Sequence, residues 1–306
     1  MSNITASLVK DLRERSGAGM MDCKKALTET NGDFDAAIDW LRTKGLAAAA
    51  KKAGRVASEG LVACVIEGKV GAAIELNSET DFVARNDIFQ NLVSNIANAA
   101  LKASNVDELK AVQLENGKNV EEEVTSNVAT IGENLSLRRA ERLSVDNGQV
   151  ISYIHNSVAP SMGKIAVLVA LETQGTGDKI AEVGKQIAMH IAAARPISLD
   201  IASVDPAIVD KEKAIFIEQA KESGKPDNII EKMVEGRVRK FYEESVLLEQ
   251  AFVMDNKVKI KEVIANLAKE LGKDVSLKAF TRFELGEGIE QEETDFAAEV
   301  AAVTGN

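Results

Sequence analysis

The chain reads as an α+β protein: a small helical bundle, then a sheet-and-helix unit present twice, with a helical insertion in the second copy. Three features predict this. Apolar residues recur at helical spacing up to Leu41, the period changes to short strand-like runs from Leu61, and a later stretch repeats those runs at a constant shift. At a shift of 95 residues, Gly68-Lys69-Val70 falls on Gly163-Lys164-Ile165, Leu76 on Leu171, and Ile96-Ala97 on Ile191-Ala192.

The bundle comes first. Ile4, Leu8, Val9 and Leu12 form one apolar stripe, Cys23, Ala26 and Leu27 a second, and Phe34, Ala37, Ile38 and Leu41 a third. Gly17-Ala18-Gly19 and Asn31-Gly32-Asp33 separate the three helices, and Asp33 offers a carboxylate where the third needs an N-cap. The stretch from Lys44 to Glu59, rich in Ala and Lys, reads as a partly helical tether, giving a first unit of residues 1–55 with its linker.

Leu61 to Ile66 and Val70 to Leu76 flank Glu67-Gly68-Lys69, a hairpin signal. A helix from Asp87 to Lys102 carries Ile88, Leu92, Val93 and Ile96 on one face, and a helix from Val120 to Ile131 and a strand from Leu135 to Leu143 complete a β-β-α-α-β unit over residues 56–144. The end of that unit recurs at a different shift. Gly132-Glu133-Asn134-Leu135-Ser136-Leu137-Arg138 lies over Gly272-Lys273-Asp274-Val275-Ser276-Leu277-Lys278, and Arg142 over Arg282, all 140 apart.

The 45-residue difference between the two shifts places an insertion between about Pro196 and Lys257. The second subdomain is therefore split into 145–199 and 246–285, around an inserted antiparallel helical hairpin at 200–245. Ile208 to Glu222 and Ile229 to Glu244 are helical in period, Ile230, Val234, Val238 and Phe241 form a stripe, and Ser223-Gly224-Lys225-Pro226 supplies the turn. Two readings of this hairpin stand: an arm that contacts something, or a pair of helices folded back on its own sheet. Residues 286–306 begin with Gly286-Glu287-Gly288 as a hinge and continue as a helix with Phe296, Val300 and Val303 on one face.

At 306 residues and 45% hydrophobic, the chain can build real cores. It has no run of about 18 uncharged apolar residues to span a bilayer, and no secretory pattern follows Met1, so a cytoplasmic protein with no membrane partner is expected. A net charge of −11 argues against direct nucleic-acid binding, which needs a Lys/Arg-rich face to displace counterions. Cys23 and Cys64 lie far apart and lack metal or redox spacing, so buried free thiols are expected. His155 and His190 have no neighbour at ligand spacing, and no phosphate-binding G-x-x-x-x-G-K-[ST] occurs. No cofactor is expected. His190, between Ile187 and Ile191, suits a core imidazole, whereas His155 ends a predicted strand before a loop at Asn156 to Met162, where contact and structural roles both remain open.

The most informative stretch is Thr80-Asp81-Phe82-Val83. At the shift of 95, Thr80-Asp81-Phe82 falls on Gly175-Thr176-Gly177. If the fold alone required the acid and the aromatic, both copies would keep them; the loop therefore reads as a working part. The rival reading is a helix cap plus a core anchor. Glu293-Thr294-Asp295-Phe296 echoes the motif and is read as ordinary helix-start chemistry, a hydroxyl cap with a negative charge at the dipole's positive end.

Three places carry a family likeness: Ile4 through Leu27, with its Gly17-Ala18-Gly19-Met20-Met21-Asp22-Cys23-Lys24-Lys25-Ala26-Leu27; Thr80-Asp81-Phe82-Val83-Ala84; and Gly286-Glu287-Gly288-Ile289 with the helix expected after it. Together, and essentially end to end, the chain resembles bacterial elongation factor Ts. The resemblance implies a ubiquitin-associated-like (UBA-like) three-helix domain, two related α+β core subdomains, an inserted helical hairpin and a C-terminal helix. It implies exchange of GDP for GTP on elongation factor Tu, bound both with GDP and free of nucleotide, with oligomer formation left open. It further implies that Asp81 and Phe82 enter the partner's GTP-binding domain near the magnesium site, that Met20, Met21 and Lys24 touch the same domain, and that His155 reaches another. Asn156 to Met162 lengthens the family's pattern after that histidine.

Two other functions compete with exchange. One is a binding adaptor that docks a partner through the three-helix domain without altering nucleotide release. The other is an enzyme using Cys23, flanked by Asp22 and Lys24, or His155.

Overall fold

The computed structural model describes residues 4–16, 18–222 and 226–290. The expected tail helix, Gly17 and the Ser223-Gly224-Lys225 part of the expected turn lie outside the described residues.

Helices α1 (Ala6–Ser16), α2 (Met20–Glu29) and α3 (Phe34–Lys52) enclose a core of Val9, Leu12, Cys23, Ala26, Leu27 and Ala37, with Ile4, Leu8, Phe34, Ile38 and Leu41 packed around it. Asp33 caps α3 as its position predicts, accepting a hydrogen bond from the Ala36 N–H at 3.0 Å. The expected partly helical tether is helical through Lys52, as the second half of α3, and non-helical over residues 53–58. Its Ala-rich run favours helix, and it has a surface to lie on: a side-chain carbon at Gly45 would sit only 3.6 Å from the Ala129 methyl.

β1 (Glu59–Glu67) and β2 (Val70–Ser78) form the predicted hairpin, with Glu67 opposite Val70 and Gly68 at a φ of +60°, a conformation open to glycine at little cost. α4 (Asp87–Ala100) follows, capped by the Asn86 side chain. Its buried face is Phe89, Leu92, Val93, Ile96 and Ala97; Ile88, expected on that face, is exposed, because a helix one residue out of phase turns it to the rim. A short helix that periodicity missed, α5 (Val106–Ala111), precedes α6 (Val120–Ile131), which a reciprocal Asn119–Glu122 capping box starts and Gly132, at a φ of +91°, ends. β3 (Ser136–Ser144) closes the unit against β2.

The second run is β4 (Gly148–Ala159), β5 (Met162–Thr173) and α7 (Asp178–Ala194). Here the expected 156–162 loop is absent. The strands continue past His155, which sits opposite Ile165, to pair Ser157 with Gly163 and Ala159 with Met162, so the histidine lies within a strand and not at its end. Backbone pairing holds both strands together well past the point where the apolar run stops. Next come α8 (Pro206–Lys221) and α9 (Asp227–Ser245), a two-stranded ribbon of β6 (Ala251–Phe252) and β7 (Asp255–Lys259), then α10 (Ile260–Leu271) and β8 (Val275–Glu284).

All long strands share one antiparallel sheet in the order β3-β2-β1-β5-β4. Opposite β4, β5 pairs first with β1, through Met162 and Gly163, and then with β8 from Ile165 to Thr173. Strand alternation sorts the cores. Ala72, Ile74 and Leu76 join α4 and α6; the residues 95 further on, Val167, Val169 and Leu171, join α7 and α10. The intervening positions, Ala73 and Ala166, Leu168 and Ala170, meet Val62, Cys64, Val150 and Phe283 in a third core shared by both halves. Arg142 and Arg282, matched at the shift of 140, do the same work: one donates to the Leu101 carbonyl at 2.9 Å, the other to the Ala192 carbonyl at 3.4 Å, each at the C-terminal end of a helix.

The sheet also buries a carboxylate. Glu75 has no exposed surface and accepts from Arg138 (3.1 and 3.2 Å), Arg139, Asn77 (3.0 Å) and the Gly286 N–H (2.8 Å). The expected hinge at Gly286-Glu287-Gly288 is thus a fastened turn. Glu287 also binds Arg139 and Arg282, and a side chain on Gly286 would meet the Ser58 carbonyl at 2.6 Å.

α8 and α9 lie against each other, with Arg237 bonded to Gln219 and stacked 5.7 Å over the Phe216 ring. No residue of α9 is buried, and the stripe Ile230, Val234, Val238 and Phe241 is half-buried. Their base is pinned: Gln250 donates to the carbonyls of Glu244 (2.7 Å) and Ala194 (3.3 Å) while its oxygen receives the Nε2–H of buried His190 at 2.9 Å. His190 is the core imidazole the sequence predicts. No helix among the described residues is long and apolar enough to cross a membrane.

Candidate functional site

The segment between β2 and α4 is held from both sides and leaves two residues out. On its entering side, Glu79 accepts from the Asn134 N–H (2.6 Å) and from Arg55, and Asn134 returns a bond to the Arg55 carbonyl at 2.8 Å, closing a ring that ties the end of α3 to the loop. Thr80 donates its N–H (2.9 Å) and its hydroxyl (2.6 Å) to the two oxygens of Glu133, and its carbonyl accepts from Ser78 at 3.0 Å.

On the leaving side, the turn Val83–Arg85 buries Val83 and Ala84 in the core under α4, and Gln90 donates to the Ala84 carbonyl at 2.9 Å. Between these fastenings Asp81 and Phe82 point outward, Phe82 with 81% of its surface exposed. A large aromatic left in water on a loop fastened at both ends has most of its burial still to gain from a partner. The reading of Asp81-Phe82 as cap plus core anchor fails here: the anchor is Val83-Ala84, and the cap of α4 is Asn86.

The structure separates the expected site residues by role. Val83, expected at the contact, is buried and supports the loop; Thr80 is half-buried and commits its polar groups to Glu133 and Ser78. Met20 and Met21, at 46% and 76% exposure, and exposed Lys24 occupy the outer face of α2. Asp22 beside them pairs with Lys44 of α3. His155 is exposed on β4 and shares a 2.9 Å hydrogen bond with the Tyr153 hydroxyl on the same face. These residues stand on three separate elements. The link between the first two runs through α6, which receives α3 at Arg42–Glu122 (3.1 Å) and Gly45 and holds the loop through Glu133, just past its end.

The fastening residues Arg55, Glu79, Gln90, Glu133 and Asn134 escaped sequence reasoning. One signal for them existed: at the shift of 140, Glu133 falls on Lys273. Cys23 and Cys64 are buried and free, burial pushes the Cys64 thiol up to about 12, and no cluster of three His, Cys, Asp or Glu that could hold a metal occurs among the described residues.

A sequence model described as Elongation factor TS matches residues 79–287, a span that opens one residue before Thr80. Among curated proteins, the chain is 59% identical over 302 residues to Elongation factor Ts of Rickettsia bellii (strain OSU 85-389), covering 98% of each chain. It is 58% identical over 309 residues to that of Rhodospirillum centenum (strain ATCC 51521 / SW), covering all of both, and 60% identical over 307 residues to that of Paramagnetospirillum magneticum (strain ATCC 700264 / AMB-1), covering 100% of this chain and 98% of the relative.

Proposed function

The chain belongs to the elongation factor Ts family, and on that premise we propose that it is a guanine-nucleotide exchange factor for elongation factor Tu, acting in translation elongation in the cytoplasm with no bond-making chemistry of its own. The observation that carries this reading is the outward Phe82, 81% exposed on a loop fastened at both ends.

In this reading Asp81 and Phe82 enter the partner's nucleotide-binding domain. GDP is held there by phosphate contacts and by magnesium, a hard cation that needs oxygen ligands in near-octahedral order. A wedge that shifts the supporting groups weakens the nucleotide. Burying a Phe side chain contributes about 1.5–3 kcal/mol, and each ~1.4 kcal/mol is tenfold in affinity, so one wedge supplies a factor of tens and the rest of the interface the remainder. Asp81 adds negative charge near the magnesium and its water ligands. Coupling is reciprocal: if this protein weakens GDP, GDP weakens this protein by the same factor. Val83 is the support of the wedge rather than a contact.

The remaining assignments rest on the same reading. Residues 1–55 form a UBA-like bundle whose Met20, Met21 and Lys24 touch the partner domain entered by Phe82. Residues 56–144 form one core subdomain, and 145–199 with 246–285 the other, which presents His155. Residues 200–245 form the inserted hairpin, an arm with a half-buried seam and no buried residue in α9. Residues 286–306 add the C-terminal module.

The test measures release of a fluorescent GDP from elongation factor Tu, with and without this protein. Acceleration of release by orders of magnitude is expected. Binding to elongation factor Tu with unchanged release would replace exchange by the adaptor reading.

A further inference from the structure

We propose that Glu133 is a positioning residue for exchange: it acts through Thr80 to hold the Asp81-Phe82 tip in its outward conformation, an inference that rests on the exchange reading above. The geometry is a two-point clamp. Thr80 Oγ1–H donates to Glu133 Oε1 at 2.6 Å and Thr80 N–H to Oε2 at 2.9 Å, charge-assisted bonds that fix both the side chain and the backbone of the residue before the tip. Ser78 takes the Thr80 carbonyl, so the residue has no polar group free to turn.

The duplication shows that the fold does not demand this clamp. In the second copy Gly175 stands for Thr80 and Lys273 for Glu133, so the hydroxyl donor and the carboxylate acceptor are both missing, and the Gly175 N–H donates to the Thr173 hydroxyl at 3.0 Å instead. That copy joins the same two segments by another route: Thr173, the counterpart of Ser78, donates its hydroxyl to the Asp274 carbonyl at 2.7 Å. The Thr80–Glu133 pair therefore accompanies the tip and not the scaffold. Position adds a second role. Glu133 follows Gly132 at the end of α6, the helix that also receives α3, so one short segment sets the tip in register with the bundle bearing Met20 and Met21. A loop ordered before docking spares the complex the entropy of ordering it, and an aromatic wedge gains most from that, since a small misplacement forfeits its contacts.

The experiment is a double-mutant cycle on release of fluorescent GDP from elongation factor Tu, read as the maximal rate at saturating exchange factor and the concentration giving half of it. Glu133→Ala is expected to lower the maximal rate about tenfold, the worth of a hydrogen-bonded charged group. Glu133→Gln, whose amide oxygen still accepts one bond, should fall between. In an Asp81→Ala/Phe82→Ala background Glu133→Ala should cost less than about twofold, because the clamp then has neither side chain of the tip left to position. A merely structural loss would carry through both backgrounds alike, and that outcome overturns the proposal. So does an undiminished rate in Glu133→Ala when Phe82→Ala is impaired. If Phe82→Ala itself releases GDP at the native rate, the exchange site is wrong and the clamp falls with it.

Discussion

Replacing Phe82 by Ala should separate activity from stability, because the side chain has most of its burial still to gain. Complete burial of a Phe is worth about 1.5–3 kcal/mol. With 81% of its surface uncovered in the free protein, roughly four-fifths of that, about 1.2–2.4 kcal/mol, is available on docking. The loss on substitution is therefore about ten- to fiftyfold in the acceleration of GDP release. Only the remaining fifth, about 0.3–0.6 kcal/mol, supports the fold, so the thermal midpoint should move by no more than about 2 °C. Stopped-flow release of fluorescent GDP and a calorimetric scan of the same preparation measure the two quantities. A variant that keeps full acceleration, or one whose melting drops by many degrees alongside its activity, would refute the reasoning: in the first case the wedge is idle, in the second it is a core residue.

Other outcomes are set by the buried groups. Glu75→Gln removes the charge between Arg138 and Arg139 and should cost about 3–5 kcal/mol in urea unfolding, as breaking a buried ion pair does; a loss under about 1 kcal/mol would mean the arginines find water instead. Cys23 and Cys64 should resist a thiol reagent at pH 8 in the native protein, react fully once unfolded, and leave exchange untouched. A fast native thiol coupled to lost activity would revive the enzyme reading. Burial holds His190 below its ordinary 6.5, against the opposing Gln250 bond. The unfolded chain then binds the proton first, so this residue's contribution is complete above about pH 6.5 and declines as pH falls through the lowered folded value. Urea midpoints between pH 7.5 and 5 should show that slope, and His190→Gln should flatten it.

Much of the architecture was legible because burial follows period. The stripes of α1 to α3 came straight from apolar spacing, the Gly68 hairpin from a turn signal between two apolar runs, and both repeat shifts from matched residues, while Thr80-Asp81-Phe82 stood out because a copy lacking it was available for comparison. What escaped has identifiable causes. Ile88 and Phe89 are neighbours of nearly equal hydrophobicity, and packing alone decided which faces inward. The β4–β5 hairpin runs on through Asn156, Ser157 and Val158, polar or exposed residues that backbone pairing holds without any apolar signal. That the helical part of the tether lies on α6 is a long-range fact no local pattern carries. The clamp on Thr80 joins residues 53 positions apart, and the Glu75 cluster reaches Gly286 across 211, so no local pattern could announce either.

The core between the half-sheets has a consequence for how the duplication could diverge. Val62, Ala73, Ala166 and Leu168 come from both repeats, so either repeat alone would leave a raw apolar face and neither is a free-standing unit. Load is pooled across the pair. A working feature confined to one repeat, such as the exposed Phe82, therefore stands on stability generated jointly with its twin, which carries a plain glycine turn at the matching place.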